Sequence, residues 1–344
     1  MIQRKTAEPI MNYSHLKSII GAQKTTFAMS MPSDSFGVAP KRTQPYIQPS
    51  FTKIEFQGER PAVILISAVG ATGKTTLARV LSNETGLPLL DLGAHKPVGA
   101  NTLTGLLTTA FHVSDLSKVF EGVGNSTYGV IIDGVDEGRA KTADKAFDAF
   151  LDDIARLCAG APNTSFVLLG RTEILNECWL YLSYKGVPTG LVSIDAFGIH
   201  GAREYIDSFT DGLSSKHSSE YVEVRDNILK LLGRAFGEHH GTADEDFLSF
   251  IGYPPVLDAI VTLLNKESNY HRVEKEIEGQ DSSDVEINLL YRISSYILRR
   301  EKDQKLLPGI LEPLIDGMPT QIRDRIKSQV FNDLEQCNRL VAYT

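Results

Sequence analysis

The sequence predicts an α/β core built on a parallel sheet, followed by an all-helical C-terminal region. Three observations carry this. Between Pro61 and Phe209, short and nearly all-apolar runs alternate with stretches of helical spacing, the pattern of a sheet covered on both faces. After Thr210, every periodic stretch has helical spacing and no strand pattern recurs. The segment AVGATGKT, Ala68 to Thr75, stands between the first apolar run and the first helix, where a glycine-bearing turn suits phosphate.

Taken in order, AVILIS (62–67) predicts a buried strand, and TTLARVLSNET a helix whose apolar positions are Leu77, Val80 and Leu81. LPLLDLG (87–93) is the second strand and NTLTGLLTTAF the second helix. YGVIIDG (128–134) is the third strand, and DKAFDAFLDDIARLCAG (144–160) a strongly amphipathic helix. TSFVLLG (164–170) and TGLVSIDAF (189–197) are the fourth and fifth strands, and HGAREYIDSFT reads as a helix. These elements delimit a core at 55–209. Residues 1–54, with Pro32, Pro40, Pro45 and Pro49 and no sustained periodicity, predict an irregular arm or linker in which MNYSHLKSII is one short helix. The helical stretches beyond the core are interrupted by the polar breaks DGLSSKHSSE and EGQDSSD, giving a helical subdomain at 210–275 and a second helical region at 276–344.

Composition excludes several function classes. Hydrophobic residues make up 42% and charged residues 23%, ordinary for a soluble globular chain. A net charge of −8 argues against a dedicated nucleic-acid binder. Cys158, Cys178 and Cys337 are widely spaced with no CxxC pair, which points to a reducing compartment and no structural zinc. No apolar run has the length of a membrane span and no signal-peptide core stands at the N-terminus, so a cytoplasmic protein is expected.

The motifs give this core its chemistry. In AVGATGKT, the backbone N–H groups of Val69, Gly70, Ala71, Thr72 and Gly73 would converge on phosphate oxygens, helped by the positive end of the following helix. Lys74 would reach the β- and γ-phosphates, Thr75 would give its hydroxyl to Mg²⁺, and Thr76 would touch the α-phosphate. Downstream, YGVIIDGVDEGR ends an apolar strand in Asp133, placed to hold the metal through water. Asp136 and Glu137 follow it, and one of them would orient and deprotonate a water opposite the γ-phosphate. In SFVLLGRTE, Arg171 follows a strand and would sense the third phosphate if that strand lies between the other two.

Together these pieces resemble the STAND class of P-loop NTPases, and most closely its NACHT-type members. The family's second acidic motif has an Asp, a small residue, an apolar residue and two acids, and DGVDE (133–137) matches it position by position. GRT (170–172) is a looser fit to the family's strand-end arginine motif, and GYPPVLDAI (252–260) resembles its Gly-x-Pro segment, in which Pro254 would pack near the adenine. The resemblance spans roughly residues 55–300 and implies a sheet of the ASCE division, in the order 5-1-4-3-2, with ATP or ADP and Mg²⁺ as ligands. It implies a switch that rests with ADP, exchanges it for ATP and self-associates through the NTPase core or works with protein partners, as bacterial antiphage and signalling receptors do. Such proteins add an effector before the core and a sensor after it. Here both are expected to be missing, as in a truncated chain or one that works with separate partner chains.

Three functions follow: an ATP-binding, slowly hydrolysing switch; a small-molecule P-loop kinase, suggested by TTLARVLSNETGLPLLD but lacking an Arg-rich lid; and a non-catalytic nucleotide-binding adaptor. Of the other candidates, His95 reads as a loop histidine and His239–His240 as surface residues without a third ligand. Arg139 is either structural or a finger acting across an oligomer interface, and Trp179, Tyr181 and Tyr184 form an aromatic patch that reads as core.

Overall fold

The computed structural model describes residues 10–21, 24–210, 219–237, 250–266 and 282–329. Two compact units divide at Asp195 and Ala196. The first unit is built on an eight-stranded mixed sheet. Its parallel strands are β4 (Val63–Ser67), β5 (Leu89–Asp91), β6 (Val130–Asp133), β7 (Phe166–Gly170) and β8 (Thr189–Ile194), laid side by side as β8-β4-β7-β6-β5. Counted by appearance in the chain, that order is 5-1-4-3-2. Every residue of β4, β6 and β7 is buried, because helices cover both faces and leave no solvated side on which a polar alternation would help.

The covering helices are α2 (Lys74–Thr85), α3 (Thr102–Ala110), α4 (Leu116–Gly124), α5 (Val135–Lys141), α6 (Asp144–Leu157) and α7 (Thr172–Tyr184). α6 buries Phe147, Phe150, Leu151 and Ile154, a helical stripe at i, i+3, i+4 and i+7. Its Asp153, 2% exposed, pairs with Arg156 one turn along the same helix and also caps α3. The carboxylate accepts the N–H groups of Leu103 (2.9 Å) and Thr104 (3.2 Å) and the Thr104 hydroxyl (2.9 Å), satisfying donors that a helix start leaves unpaired.

The N-terminal segment departs from the expected irregular arm. β1 (Ile10–Asn12), α1 (Tyr13–Gly21), β2 (Phe36–Gly37) and β3 (Ser50–Phe56) belong to the first unit. β3 pairs antiparallel with β8 and carries β1 on its outer side, whereas β2 pairs antiparallel with β5 at the opposite edge. The segment therefore covers both edges that the five parallel strands would leave open. Phe51 and Phe36 are fully buried and Tyr13 nearly so, which gives this stretch an apolar anchorage despite its prolines. The only helix expected there, in MNYSHLKSII, is α1.

In the second unit, α8 (Ile199–Phe209), α9 (Ser219–Gly237), α10 (Pro254–Lys266) and α11 (Ser282–Glu301) share a core that includes Ile206, Tyr221, Ile228, Leu257, Ile260 and Ile293. A helical stretch of π type (Lys302–Leu311) and the short helices α12 (Glu312–Ile315) and α13 (Thr320–Gln329) follow. α8 was expected to close the first unit at residue 209. It belongs to the second, because its buried Ala202 and Ile206 join the helical core rather than the sheet. His239, His240 and Cys337 lie outside the described residues.

Candidate functional site

The loop between β4 and α2 is shaped by two left-handed residues, Ala71 at φ 61° and Gly73 at φ 90°. Gly73 is the N-cap of α2, so the loop delivers its backbone directly onto a helix start. A side chain added at Gly70 or Gly73 would meet nothing within 4 Å, so the hollow above the loop is open. Thr72 braces the turn by donating its hydroxyl to the Val69 carbonyl at 2.9 Å. Lys74 turns inward and donates to the carbonyls of Val69 (2.7 Å) and Ala68 (3.1 Å). Burial lowers its pKa, against the opposing pull of Asp136 and Asp133.

β6 and β7 deliver the remaining groups. Asp133 ends β6 with only 3% of its surface exposed. Burial raises its pKa, while the Thr75 hydroxyl and the Gly134 N–H donate to the carboxylate and pull the other way. Gly134 then takes a left-handed φ of 70° that starts α5. A side chain there would come within 3.0 Å of the Gly93 nitrogen and 3.1 Å of Glu137 Oε2, so only glycine fits both the conformation and the space. That turn places Asp136 and Glu137 in the first turn of α5, favourable for carboxylates at a helix N-terminus. Burial raises the pKa of Glu137, and Asp136 and Asp133 add to the rise.

β7 lies between β4 and β6, so Arg171, at the N-cap of α7, stands between the loop strand and the acidic strand. Its Nε is 2.9 Å from Asp136 Oδ2. Lys74, Thr75, Asp133, Asp136, Glu137 and Arg171 thus gather at the C-terminal ends of three adjacent strands. Pro254 stands in the second unit, in the first turn of α10, where its fixed φ and missing N–H suit a helix start. Arg139 is engaged within its own chain by Asp144 (2.9 Å) and Glu177 (3.3 Å) and lies over the Phe147 ring. His95 shares a hydrogen bond with the Ser35 hydroxyl at 3.0 Å, a loop contact. The aromatic patch splits: Trp179 and Tyr181 pack against the core, and Tyr184 is exposed.

Sequence reasoning passed over Asp91, the last residue of β5, which is the register partner of Asp133 and adds to the rise in its pKa. The signal was available, since LLD and VIID both end apolar strands in aspartate.

The donor set fits Mg²⁺. A buried carboxylate with no ion pair among the described residues, beside a threonine hydroxyl, offers hard oxygen ligands. Among the described residues, no three His, Cys, Asp or Glu side chains are arranged so that they could hold a metal ion by themselves. No helix among them is long and apolar enough to cross a membrane.

No family model matches the chain, and no curated protein does. Among solved structures, it is similar to the Walker-type ATPase PABY2304 of Pyrococcus abyssi, at 16% identity over 80% of this chain and 85% of that one, with a TM-score of 0.42. It is similar to the HORMA:CdnC:Trip13 complex of E. coli MS115-1, at 14% identity over 64% of this chain and 75% of that one (TM-score 0.35). It is also similar to PCH-2 of C. elegans, at 12% identity over 67% of this chain and 60% of that one (TM-score 0.33). Scores this low describe a distant likeness; the chemistry open to the site follows from its own loop, lysine and carboxylates.

Proposed function

We propose that the chain is an ATP-binding, slowly hydrolysing switch of the STAND class, NACHT-like in its acidic motif, acting in bacterial defence or signalling. One observation carries the proposal. Gly134 adopts a left-handed turn that separates the buried Asp133, bonded to Thr75 of the loop helix, from the two acids that open α5. The metal-holding and proton-accepting roles thereby fall on different residues of one motif.

Lys74, the N–H groups of residues 70–76 and the start of α2 would bind the phosphates, and Thr75 and Asp133 would hold Mg²⁺. When bound, Mg²⁺ supplies neutralising charge to the phosphate oxygens. Lys74 spends two of its three ammonium N–H donors on the Ala68 and Val69 carbonyls and would give the third to a phosphate, so the same lysine would brace the loop and hold the nucleotide. Glu137 is the group to take a proton from water, since burial and its acidic neighbours make its carboxylate a stronger base than usual. Asp136 is held by Arg171, whose Nε is 2.9 Å away, and is less free to turn toward a water. Switching from 1% to 99% of one state takes about 5.5 kcal/mol of preferential binding, which the third phosphate, the metal and Arg171 would have to supply together.

The test is to identify the nucleotide that co-purifies with the protein and to measure phosphate release with and without small-molecule acceptors. Retained ADP and slow, acceptor-independent release are expected. Acceptor-dependent consumption of ATP would replace the switch with a kinase.

A further inference from the structure

A cavity of about 730 Å³ lies beside α2, between that helix, β5 and the segment 33–46 that crosses them. Its volume suits a small organic ligand. Its charge is uneven. Lys41, Arg42 and Arg79 all line it, and none of them forms an ion pair among the described residues. Among the described residues, Arg42 bonds only to the carbonyl and side chain of Gln44.

The carboxylates at the rim are mostly committed elsewhere. Glu84 is 2.7 Å from Lys17 and accepts the Tyr13 hydroxyl at 2.8 Å. Asp91 accepts the N–H groups of Gly93 and Ala94. Asp34 is the remaining acid, and it is exposed. Three cations without ion pairs thus face two carboxylates, Asp34 and Asp91, that no cation pairs among the described residues, a local excess of positive charge in a chain whose net charge is −8. Tyr46, which also lines the cavity, has a buried hydroxyl with no hydrogen-bond partner among the described residues, an unusual cost unless a ligand supplies one.

We propose that this cavity is a second ligand site, for a small polyanion carrying at least two phosphate or carboxylate groups. Arg79 from α2 and Lys41 from the crossing segment neutralise it, Arg42 adds a third positive charge, and the Tyr46 hydroxyl donates to it. The site is separate from the phosphate loop, since none of residues 68–76 lines it. It shares only α2 with that loop: Lys74 opens the helix, and Arg79 stands further along it.

The proposal does not depend on the nucleotide reading, and its test keeps the two apart. Lys74→Ala protein, with its phosphate loop disabled, is titrated with inorganic pyrophosphate and separately with citrate, using calorimetry and thermal unfolding. Saturable binding of at least one anion is expected. Adding Arg79→Glu or, in a separate protein, Lys41→Glu should weaken it roughly tenfold or more, the loss of one charge-assisted contact. Tyr46→Phe should weaken it less, with its fold intact. Binding of pyrophosphate alone assigns a phosphate ligand, and comparable binding of both anions assigns recognition by charge. No binding of either anion, or undiminished binding in both charge-reversed proteins, would overturn the site and leave the phosphate-loop reading untouched.

Discussion

Arg171 holds Asp136 twice: its Nε is 2.9 Å from Oδ2, and its backbone N–H donates to Oδ1 at 3.3 Å. The adjacent Glu137 forms no ion pair among the described residues, and burial together with its acidic neighbours raises its pKa. Two consecutive carboxylates in one helical turn are therefore unequal in freedom to move.

Glu137→Gln is expected to slow phosphate release by about 10²- to 10⁴-fold, the range of a lost general base, while nucleotide stays bound. Asp136→Asn should slow it by about tenfold or less, because it removes a positioning contact rather than the proton acceptor. Single-turnover release and filter retention on both variants check this; equal losses would undo the division of roles.

Lys74→Ala should weaken ATP and ADP binding by roughly tenfold to a hundredfold, the worth of hydrogen bonds made by a charged donor. Since Lys74 also ties down the Ala68 and Val69 carbonyls, the variant should show faster amide exchange in the loop even without nucleotide. Calorimetry and hydrogen exchange read the two effects separately, and wild-type affinity would refute the phosphate-loop assignment.

Asp133→Asn is expected to stabilise the nucleotide-free protein and weaken its response to Mg²⁺. Burial raises the carboxyl's pKa, so the folded state keeps this proton to higher pH than the unfolded chain does. Stability from this group accordingly falls as pH rises from the unfolded carboxyl's pKa through the folded one, and at neutral pH the buried charge is a net cost. The variant should melt higher at pH 7, lose that pH dependence, and need about tenfold or more Mg²⁺ to retain nucleotide. Thermal melts across pH and Mg²⁺ titrations test both halves.

Lys24 donates to the carbonyls of Ser126 (2.8 Å), Tyr128 (3.5 Å) and Thr164, fastening the N-terminal segment near the starts of β6 and β7. Lys24→Met should cost about 1–3 kcal/mol, since it leaves buried carbonyls unpaired. Burial lowers the lysine's pKa from 10.5 to about 8, so across that interval the unfolded state holds the extra proton and stability from this group rises with pH. Denaturant melts between these values should show the rise in the parent protein and not in Lys24→Met.

The sequence made the parallel strands plain because each is a continuous apolar run bounded by turn residues: AVILIS contains β4, and TSFVLLG contains β7. The loop and acidic motif were equally legible, since Lys74, Thr75 and Asp133 owe their positions to the chain within a few residues of them. The pairing of Arg171 with Asp136 joins two strand ends, and only the sheet order brings them together. The N-terminal strands were hidden for a different reason. β1 and β2 are three and two residues long, and β3 shifts register between Lys53 and Glu55, which blurs its alternation. Their strand identity comes from the edges they cover rather than from local pattern. Asp153 likewise carries no motif, since its role as the cap of α3 is set by a neighbour fifty residues away.

The pairing of β3 with β8 also sets a timetable for synthesis. Phe51 faces Ile194, so the first strand of this pair leaves the ribosome long before its partner is made. At about 5–20 residues per second, the interval is roughly 7–30 s. Throughout it, Phe51 has no β8 to cover it and the backbone of β3 has no parent sheet. The N-terminal segment is thus the first part of the first unit to be translated and among the last to find its place. Growth conditions that slow elongation lengthen the time in which a nascent chain offers this strand to its neighbours.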